Sequence, residues 1–443
     1  MKNIKKSFWG LLVVLTLLWL WVDRLAGGGW SVFALRPLFL QYSGVLGMGV
    51  MSVAMILAAR PTMFEPYLGG LDKMYRLHKW LGISGLVIVV THWLWVEVPK
   101  WMVGWGWLER PARRGPPGGQ IEGIEGFLRG LRHPAEGLGE WAFYAAVALI
   151  VLALVKRFPY RYFFKIHHLL TLAYLVLVFH SVVLLQFNYW GSPLGVVMGL
   201  LMLGGTVAAV VVVVRKVSIG RQTVGEVEGV IRHADLQVLE VDIQIRGRWA
   251  GHEAGQFAFV TFHAEEGAHP FTISSAWKGD GHIAFIIKEL GDYTRTLPTS
   301  LKKGEVVKLE GPYGRFNFSG SKPRQIWVGA GIGITPFIAR MKTLARTPDG
   351  KTVDLFHPTA VYDENAIGKL QRDAQAANVN FHVLWDARDG RLTAQRLCEA
   401  VPDWRNADIW FCGPAAFGQA LRRDLVAMGL NADDFHQELF EMR

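Results

Sequence analysis

Residues Lys165 to Ser181 read KIHHLLTLAYLVLVFHS. This is a helix-length apolar run with histidines at one end (His167, His168) and at the other (His180). A histidine inside a membrane span is costly, so it points to function. A second run has the same design. Tyr75 to Trp95, YRLHKWLGISGLVIVVTHWLW, carries His78 and His92. The spacing is 14 residues from His78 to His92 and 13 from His167 to His180. At the helical rise each pair spans roughly 20 Å. Two such helices side by side offer two stacked pairs of imidazoles. Imidazole nitrogen is a common ligand of haem iron, so the pattern predicts two haems, each held by one histidine from each helix.

Helical phase tests this. Fourteen steps return to within roughly 40° of the starting face, whereas thirteen miss it by about 140° and the twelve from His168 by about 120°. The first helix fits as it stands. The second needs a bend, a π-bulge or a rotation between the two levels. The arithmetic does not choose between His167 and His168. The competing reading is four unrelated histidines bonded to backbone or facing water-filled gaps.

The paired-histidine helices resemble those of the NADPH oxidase and ferric reductase family. There the first histidine of a double-histidine pair is the ligand, which points to His167. The resemblance implies an inner haem b on His78 and His167 and an outer haem b on His92 and His180.

The chain has 443 residues, 51% of them hydrophobic and 12% aromatic, with a positive mean hydropathy. Its apolar content is concentrated in residues 1–215. Six membrane spans are expected, roughly Phe8–Val22, Phe39–Ala59, Tyr75–Val98, Trp141–Val155, Ile166–Phe187 and Ser192–Val214. Lys2, Lys5 and Lys6 before the first apolar run suggest a signal peptide. No small-residue cleavage pattern follows, and Gly27-Gly28-Gly29-Trp30 is a poor site, so the run is read as a retained span. The net charge of +10 has no basic stripe or nucleic-acid motif behind it. The two cysteines, Cys398 and Cys412, leave no disulfide framework in the membrane half.

Orientation follows the basic residues at span ends. Lys2, Lys5 and Lys6, then Arg60, Lys73 and Arg76, then Lys156, Arg157, Arg161 and Lys165, then Arg215 and Lys216 all fall on one side of a six-span chain. That side is read as cytoplasmic, at the cell (inner) membrane, with the N-terminus and the C-terminal half inside. The loop from Glu97 to Glu140 then lies outside. It balances Lys100, Arg110, Arg113, Arg114, Arg129 and Arg132 against Glu97, Glu109, Glu122, Glu125, Glu136 and Glu140. Its Arg113–Gly119 stretch, RRGPPGG, is turn-rich. It reads equally as a solvated loop or as a cap that limits which acceptors approach.

The domains are expected at 1–216, 217–320 and 321–443. The middle one alternates apolar and polar residues in short runs (EVEGVIRHADLQVLEVDIQIRG, GQFAFVTFHA, HIAFIIKEL, EVVKLEGPYG), which argues a small antiparallel β-barrel. Inside it lies His269-Pro270-Phe271-Thr272-Ile273-Ser274-Ser275. Eleven residues beyond Ser275 begins Ile286-Ile287-Lys288, followed by Gly291-Asp292-Tyr293-Thr294. The pair of motifs resembles the flavin-binding domain of the ferredoxin–NADP reductase superfamily, whose membrane members carry HPFT. It implies FAD, with Thr272 and strand backbone at the flavin ring and Gly291–Thr294 opening a helix toward the pyrophosphate. Gly311 and Gly314 of the EGPYG turn belong to the same expected site.

The last domain alternates strand and helix, which predicts a parallel α/β fold. Gly329-x-Gly331-x-Gly333-x-Thr335-Pro336 follows a strand and opens a helix, with Thr335 suited to the N-cap and Pro336 to the first helical position. Its glycines let a dinucleotide phosphate approach the backbone. By resemblance, Cys412-Gly413-Pro414 lies beside the nicotinamide, and a C-terminal aromatic, here Phe440, stacks on the flavin. Three residues follow Phe440, where relatives often end at the aromatic. The segment His357–Glu364 lacks the arginine with which many relatives hold the NADPH 2′-phosphate. This leans toward NADH, although Arg388 or Arg391 on a neighbouring strand end could supply the charge, and the choice stays open.

Taken together, the resemblance implies a transmembrane oxidoreductase carrying electrons from cytoplasmic NAD(P)H through FAD and two haems to an outside acceptor. The acceptor is expected to be dioxygen, giving superoxide, with a ferric chelate as the alternative. A haem subunit feeding a periplasmic protein and a haem sensor are further alternatives. Both sit poorly with the nucleotide loops. Membrane lipid is the expected surrounding; no nucleic acid and no obligatory protein partner are expected.

Overall fold

The computed structural model describes residues 1–23, 31–109, 123–155, 160–214 and 217–438. Several residues named above lie outside them: Phe440, the Arg113–Gly119 stretch, Arg110, Glu122, Gly27–Trp30, Lys156, Arg157, Arg215 and Lys216.

Six helices are long and apolar enough to cross a membrane: Lys2–Val22, Val32–Ala58, Leu71–Gly104, Arg132–Leu154, Lys165–Leu184 and Pro193–Val213. Four begin four to nine residues before the start that hydropathy suggests. Hydropathy sees only the apolar stretch, whereas backbone hydrogen bonding carries a helix on through flanking polar residues. The third continues through Pro99 to Gly104, into the segment read as outer loop, and that loop also contains a helix over Gly123–Gly130.

Side-chain caps fix two starts. Ser31 accepts from the Ala34 N–H at 3.2 Å. Ser192 accepts from Gly195 at 3.3 Å, with Pro193 at the first helical position. Val13, Leu17, Leu200 and Leu203 stay exposed on the helix faces, as lipid contact requires. Small residues let the spans pack closely. A β-carbon on Gly205 of the sixth span would stand 2.7 Å from Tyr174 Cζ and 3.2 Å from Ser52 Cα. Tyr174 and Ser52 satisfy each other at 2.9 Å, as buried polar groups in hydrocarbon must.

The chain divides into two compact units, Met1–Met63 with Lys73–Val217 and Phe64–Asp72 with Ser218–Met442. Residues 64–72, most of the turn between the second and third spans, thus fall in the second unit. Glu65 is buried and accepts from the Gly314 N–H at 3.4 Å; burial raises this carboxyl above its usual range.

The soluble unit holds two sheets. Strands β1 (Gln222–His233), β2 (Val238–Ile245), β3 (Phe257–Thr261), β4 (His269–Thr272), β5 (His282–Lys288) and β6 (Val306–Tyr313) form an antiparallel sheet ordered β4-β3-β6-β1-β2-β5. Alternate residues of β2 and β5 are buried, the period expected of one covered face. The two edges meet at one isolated bridge, Ile273 with Phe285. That is a narrower statement than the small antiparallel barrel expected from the strand pattern.

Strands β7 (Arg324–Gly329), β8 (Thr352–Thr359), β9 (Val379–Trp385), β10 (Ala407–Cys412) and β11 (Phe435–Gln437) form a parallel sheet ordered β11-β10-β7-β8-β9. Buried clusters cover it on both faces. From β7 the chain runs outward through β8 and β9, and β10 and β11 return on the other side of β7. The order therefore reverses between β7 and β10, where open α/β sheets bind ligands at their carboxyl ends.

Candidate functional site

The four histidines form two pairs. The rings of His78 and His167 lie 5.9 Å apart, centre to centre, and those of His92 and His180 6.5 Å apart. The fifth span supplies the irregularity that helical phase demands. One helix runs Tyr160–His167, His168 is a turn residue, and a second helix runs Leu169–Leu184. The break lets residues thirteen apart both meet the third span. It is His167, not His168, whose ring faces His78.

Three of the four rings are held at Nδ1. His78 meets the Ala54 carbonyl at 2.9 Å, His180 the Ala135 carbonyl at 2.9 Å, and His92 the Ser43 hydroxyl at 2.9 Å. A carbonyl only accepts, so His78 and His180 carry the proton on Nδ1 and keep the Nε2 lone pair. His167 Nδ1 is buried without a hydrogen-bond partner among the described residues.

These residues fit axial ligation of two haems. With nitrogen–metal bonds of about 2 Å on each side, two facing imidazoles put their ring centres roughly 6 Å apart, as both pairs do. No cluster of three or more His, Cys, Asp or Glu occurs among the described residues. Two ligands per level suit a metal already held by a macrocycle.

Sequence reading missed the residues that shape these pairs. A β-carbon on Gly139 of the fourth span would stand 2.6 Å from His180 Cε1 and 2.7 Å from its Cγ, and closer still to Nδ1. Gly44 of the second span would place its own at 3.8 Å from His92 Cε1. The available signal was a glycine or serine within an apolar run, which by itself reads as ordinary span packing.

In the antiparallel sheet the two flavin motifs come together. His269 stacks on Tyr293 with ring centres 4.7 Å apart, and the Tyr293 hydroxyl meets His263 Nδ1 at 2.9 Å. Burial lowers the His269 pKa to about 4 and raises that of Tyr293, so both are neutral near pH 7. Pro270, Phe271 and Thr272 pair along β3, Thr272 opposite Phe257. Ser274 and Ser275 are buried. The Ser275 hydroxyl accepts from the Ala284 N–H at 3.1 Å, and its carbonyl accepts from His252 Nε2 at 3.1 Å. Ser275 thus ties the motif to β5. Lys288 gives its ammonium to the Leu236 carbonyl. Gly311 and Gly314 have φ of 149° and 105°. Gly314 packs on Phe257, where a β-carbon would stand 3.2 Å from Cδ1.

One expectation changes here. Gly291–Thr294 is a turn, and the helix that follows is the single turn Leu297–Ser300. The Thr294 hydroxyl accepts the Gly291 N–H at 3.0 Å, and Pro298 near the helix start can form only a first turn.

In the parallel sheet, Gly329 ends β7 beside Cys412 at the end of β10, at the point where strand order reverses. The Ala330 N–H donates to the Cys412 carbonyl at 2.9 Å. A β-carbon on Gly333 would lie 2.8 Å from Gly413 N and collide with the Cys412 carbonyl. Gly331 and Gly413 take φ of 55° and 154°. Two glycine turns therefore pack backbone to backbone. Beneath them the buried His357 meets the Gly329 carbonyl at 2.7 Å, donating from Nδ1. Thr335 is not the N-cap. Ile334 holds that position, and the Thr335 hydroxyl donates back to the Ile332 carbonyl at 2.8 Å, with Pro336 in the first turn. The Cys412 thiol is fully buried in the core, and burial pushes its pKa well up, so Gly413 and Pro414 are what the turn presents.

Asp363 caps the helix Glu364–Ala376 by accepting from Ala366 at 2.7 Å. Arg388 is exposed and forks onto Asp389 at 2.9 and 3.0 Å. Arg391 is exposed.

Comparison with known proteins matches residues 43–178 to the family described as ferric reductase like transmembrane component, and residues 230–317 to an FAD-binding domain family. The first match covers His78, His92 and His167 and ends two residues before His180. Among characterised relatives, an NADPH oxidoreductase of Mycobacterium tuberculosis is 29% identical over 182 residues, 39% of this chain and 47% of that protein. A flavohemoprotein of Oceanobacillus iheyensis is 24% identical over 206 residues, 42% of this chain and 50% of that one. The chain spans about half the length of these two relatives. Among solved structures, the ferredoxin reductase in carbazole 1,9a-dioxygenase is similar at 21% identity with a TM-score of 0.42, over 49% of this chain and 69% of that one. The flavohemoglobin of Malassezia yamatoensis is similar at 16% identity with a TM-score of 0.48, over 92% and 97%. The chain joins a ferric-reductase-like transmembrane domain to an FAD-binding domain, an arrangement that matches a fusion of the ferric reductase/NADPH oxidase type.

Proposed function

We propose that this chain is a transmembrane oxidoreductase that moves electrons from NAD(P)H on the cytoplasmic side to an acceptor outside. The observation that carries the reading is the pairing of His78 with His167 and of His92 with His180, at about the separation two axial imidazoles need. When bound, FAD takes a hydride from NAD(P)H and gives up its electrons singly, and two haems b carry them one at a time across the membrane.

The chain's residues supply position. His78 with His167, and His92 with His180, would hold the two haems. His269, Phe271, Thr272 and Tyr293 form the flavin site. The Gly329–Pro336 loop and Gly413-Pro414 receive the nicotinamide dinucleotide at the reversal of strand order. The orientation, at the cell membrane with the soluble half cytoplasmic, is supported by the basic residues at alternate span ends.

Dioxygen is the favoured acceptor. His78 with His167, and His92 with His180, would supply two imidazoles to each haem, so the acceptor would be reduced without binding iron. In the outer segment Lys100, Arg129 and Arg132 each pair with a glutamate, at 2.5, 2.8 and 3.0 Å. Among the described residues these pairs leave little field to gather an anionic chelate. Steady-state kinetics of the purified chain with NAD(P)H, in air and under argon, test this. Superoxide formation in air, with slower chelate reduction, is expected. Fast ferric-chelate reduction under argon with little superoxide in air would make it a ferric reductase.

A further inference from the structure

The four histidines are not held alike. His78 and His180 donate to backbone carbonyls. His167 Nδ1 is buried with no partner among the described residues. His92 alone meets a side chain, the buried hydroxyl of Ser43 in the second span, at 2.9 Å.

The direction of that hydrogen bond can be assigned. Ser43 Oγ also lies 2.5 Å from the Phe39 carbonyl one turn earlier, a common resting place for a serine hydroxyl in a helix. A carbonyl only accepts, so the single hydroxyl proton goes there. Toward His92 the Ser43 oxygen can then only accept. His92 must carry its proton on Nδ1, and its lone pair is on Nε2. Giving its proton to Phe39 polarises the hydroxyl and makes it a better acceptor.

We propose that Ser43 is a positioning residue for the outer haem. It selects the His92 tautomer able to ligate and, through the relay from His92 to Ser43 to the Phe39 carbonyl, lowers the reduction potential of the group that His92 and His180 hold. This rests on the function proposed above. A ligand imidazole that donates from its far nitrogen is more basic and favours the oxidised metal. At the inner level His167 lacks that support.

The test is a redox titration of the purified full-length protein, followed in its visible spectrum, with haem counted by pyridine haemochrome. Ser43→Ala is expected to keep two haems and to raise one of the two one-electron waves. The shift is roughly tenfold in the reduction equilibrium, or about 59 mV for one electron, while the other wave stays. Ser43→Thr, which keeps the hydroxyl, leaves both waves in place. Waves of Ser43→Ala that superimpose on the parent overturn the proposal, as does an equal shift in Ser43→Thr. Should Ser43→Ala lose a haem, Ser43→Cys replaces it, because a thiol is a weaker acceptor: an upward shift supports the proposal and none overturns it. A parent protein that holds no haem defeats the proposed function itself, a result distinct from unmoved waves in a protein that holds two.

Discussion

Gly139 of the fourth span lies against the imidazole of His180 so closely that a β-carbon there would stand 2.6 Å from Cε1. The same helix gives the Ala135 carbonyl to His180 Nδ1 at 2.9 Å. One helical turn therefore both holds this ring and leaves room for it. Gly139→Ala is expected to displace His180 and lower haem content from two toward one per chain. NAD(P)H-driven dye reduction by the soluble half should persist. Haem quantification beside a dye assay checks this; an unchanged haem spectrum would show that the ring has room elsewhere.

The glycine turns at the ends of β7 and β10 lead to a second expectation. Gly333 packs on the Cys412 carbonyl and on Gly413. Gly333→Ala should push the two turns apart and raise KM for NAD(P)H about tenfold, the equivalent of ~1.4 kcal/mol, without changing haem content. Steady-state kinetics of the full chain decide it. A lowered kcat at unchanged KM would point to the nicotinamide and away from the phosphates.

His252 predicts a pH dependence. It is buried behind the HPFT motif and bonded to the Ser275 carbonyl. Burial is the largest cause that lowers its pKa from 6.5 to about 4. Between those values the unfolded chain binds more protons than the folded one. The contribution is therefore present in full above pH 6.5 and is lost as pH falls through about 4. Its size is of the order of 3 kcal/mol. Flavin retention by the full chain, followed by fluorescence, should fall across that window, and His252→Gln should flatten the fall. Identical pH curves for parent and variant would remove His252 from the account.

Much of this architecture was legible in the chain. Four histidines in apolar runs, paired 14 and 13 residues apart, marked the third and fifth spans. The arithmetic that exposed a misfit of 13 residues located a real irregularity, the turn at His168. The glycine loop stands after β7 as its spacing suggested, and the CGP turn, singled out by resemblance, stands after β10.

What was not legible depends on neighbours far along the chain. Ser43, Ala135 and Gly139 matter only because other spans bring His92 and His180 to them. Gly291–Thr294 looked like a helix start until Thr294 was seen to take the Gly291 N–H. Glu65, in the turn after the second span, accepts from the Gly314 N–H. A local pattern does not report a partner 249 residues away.

The most direct test of the whole account is haem stoichiometry with low-spin electron paramagnetic resonance on purified full-length protein and two single variants. The pairing of His78 with His167 and of His92 with His180 requires two bis-imidazole haems per chain in the parent and in His168→Ala, and one in His167→Ala. A parent without haem, or a His168→Ala that loses one while His167→Ala keeps both, would contradict it.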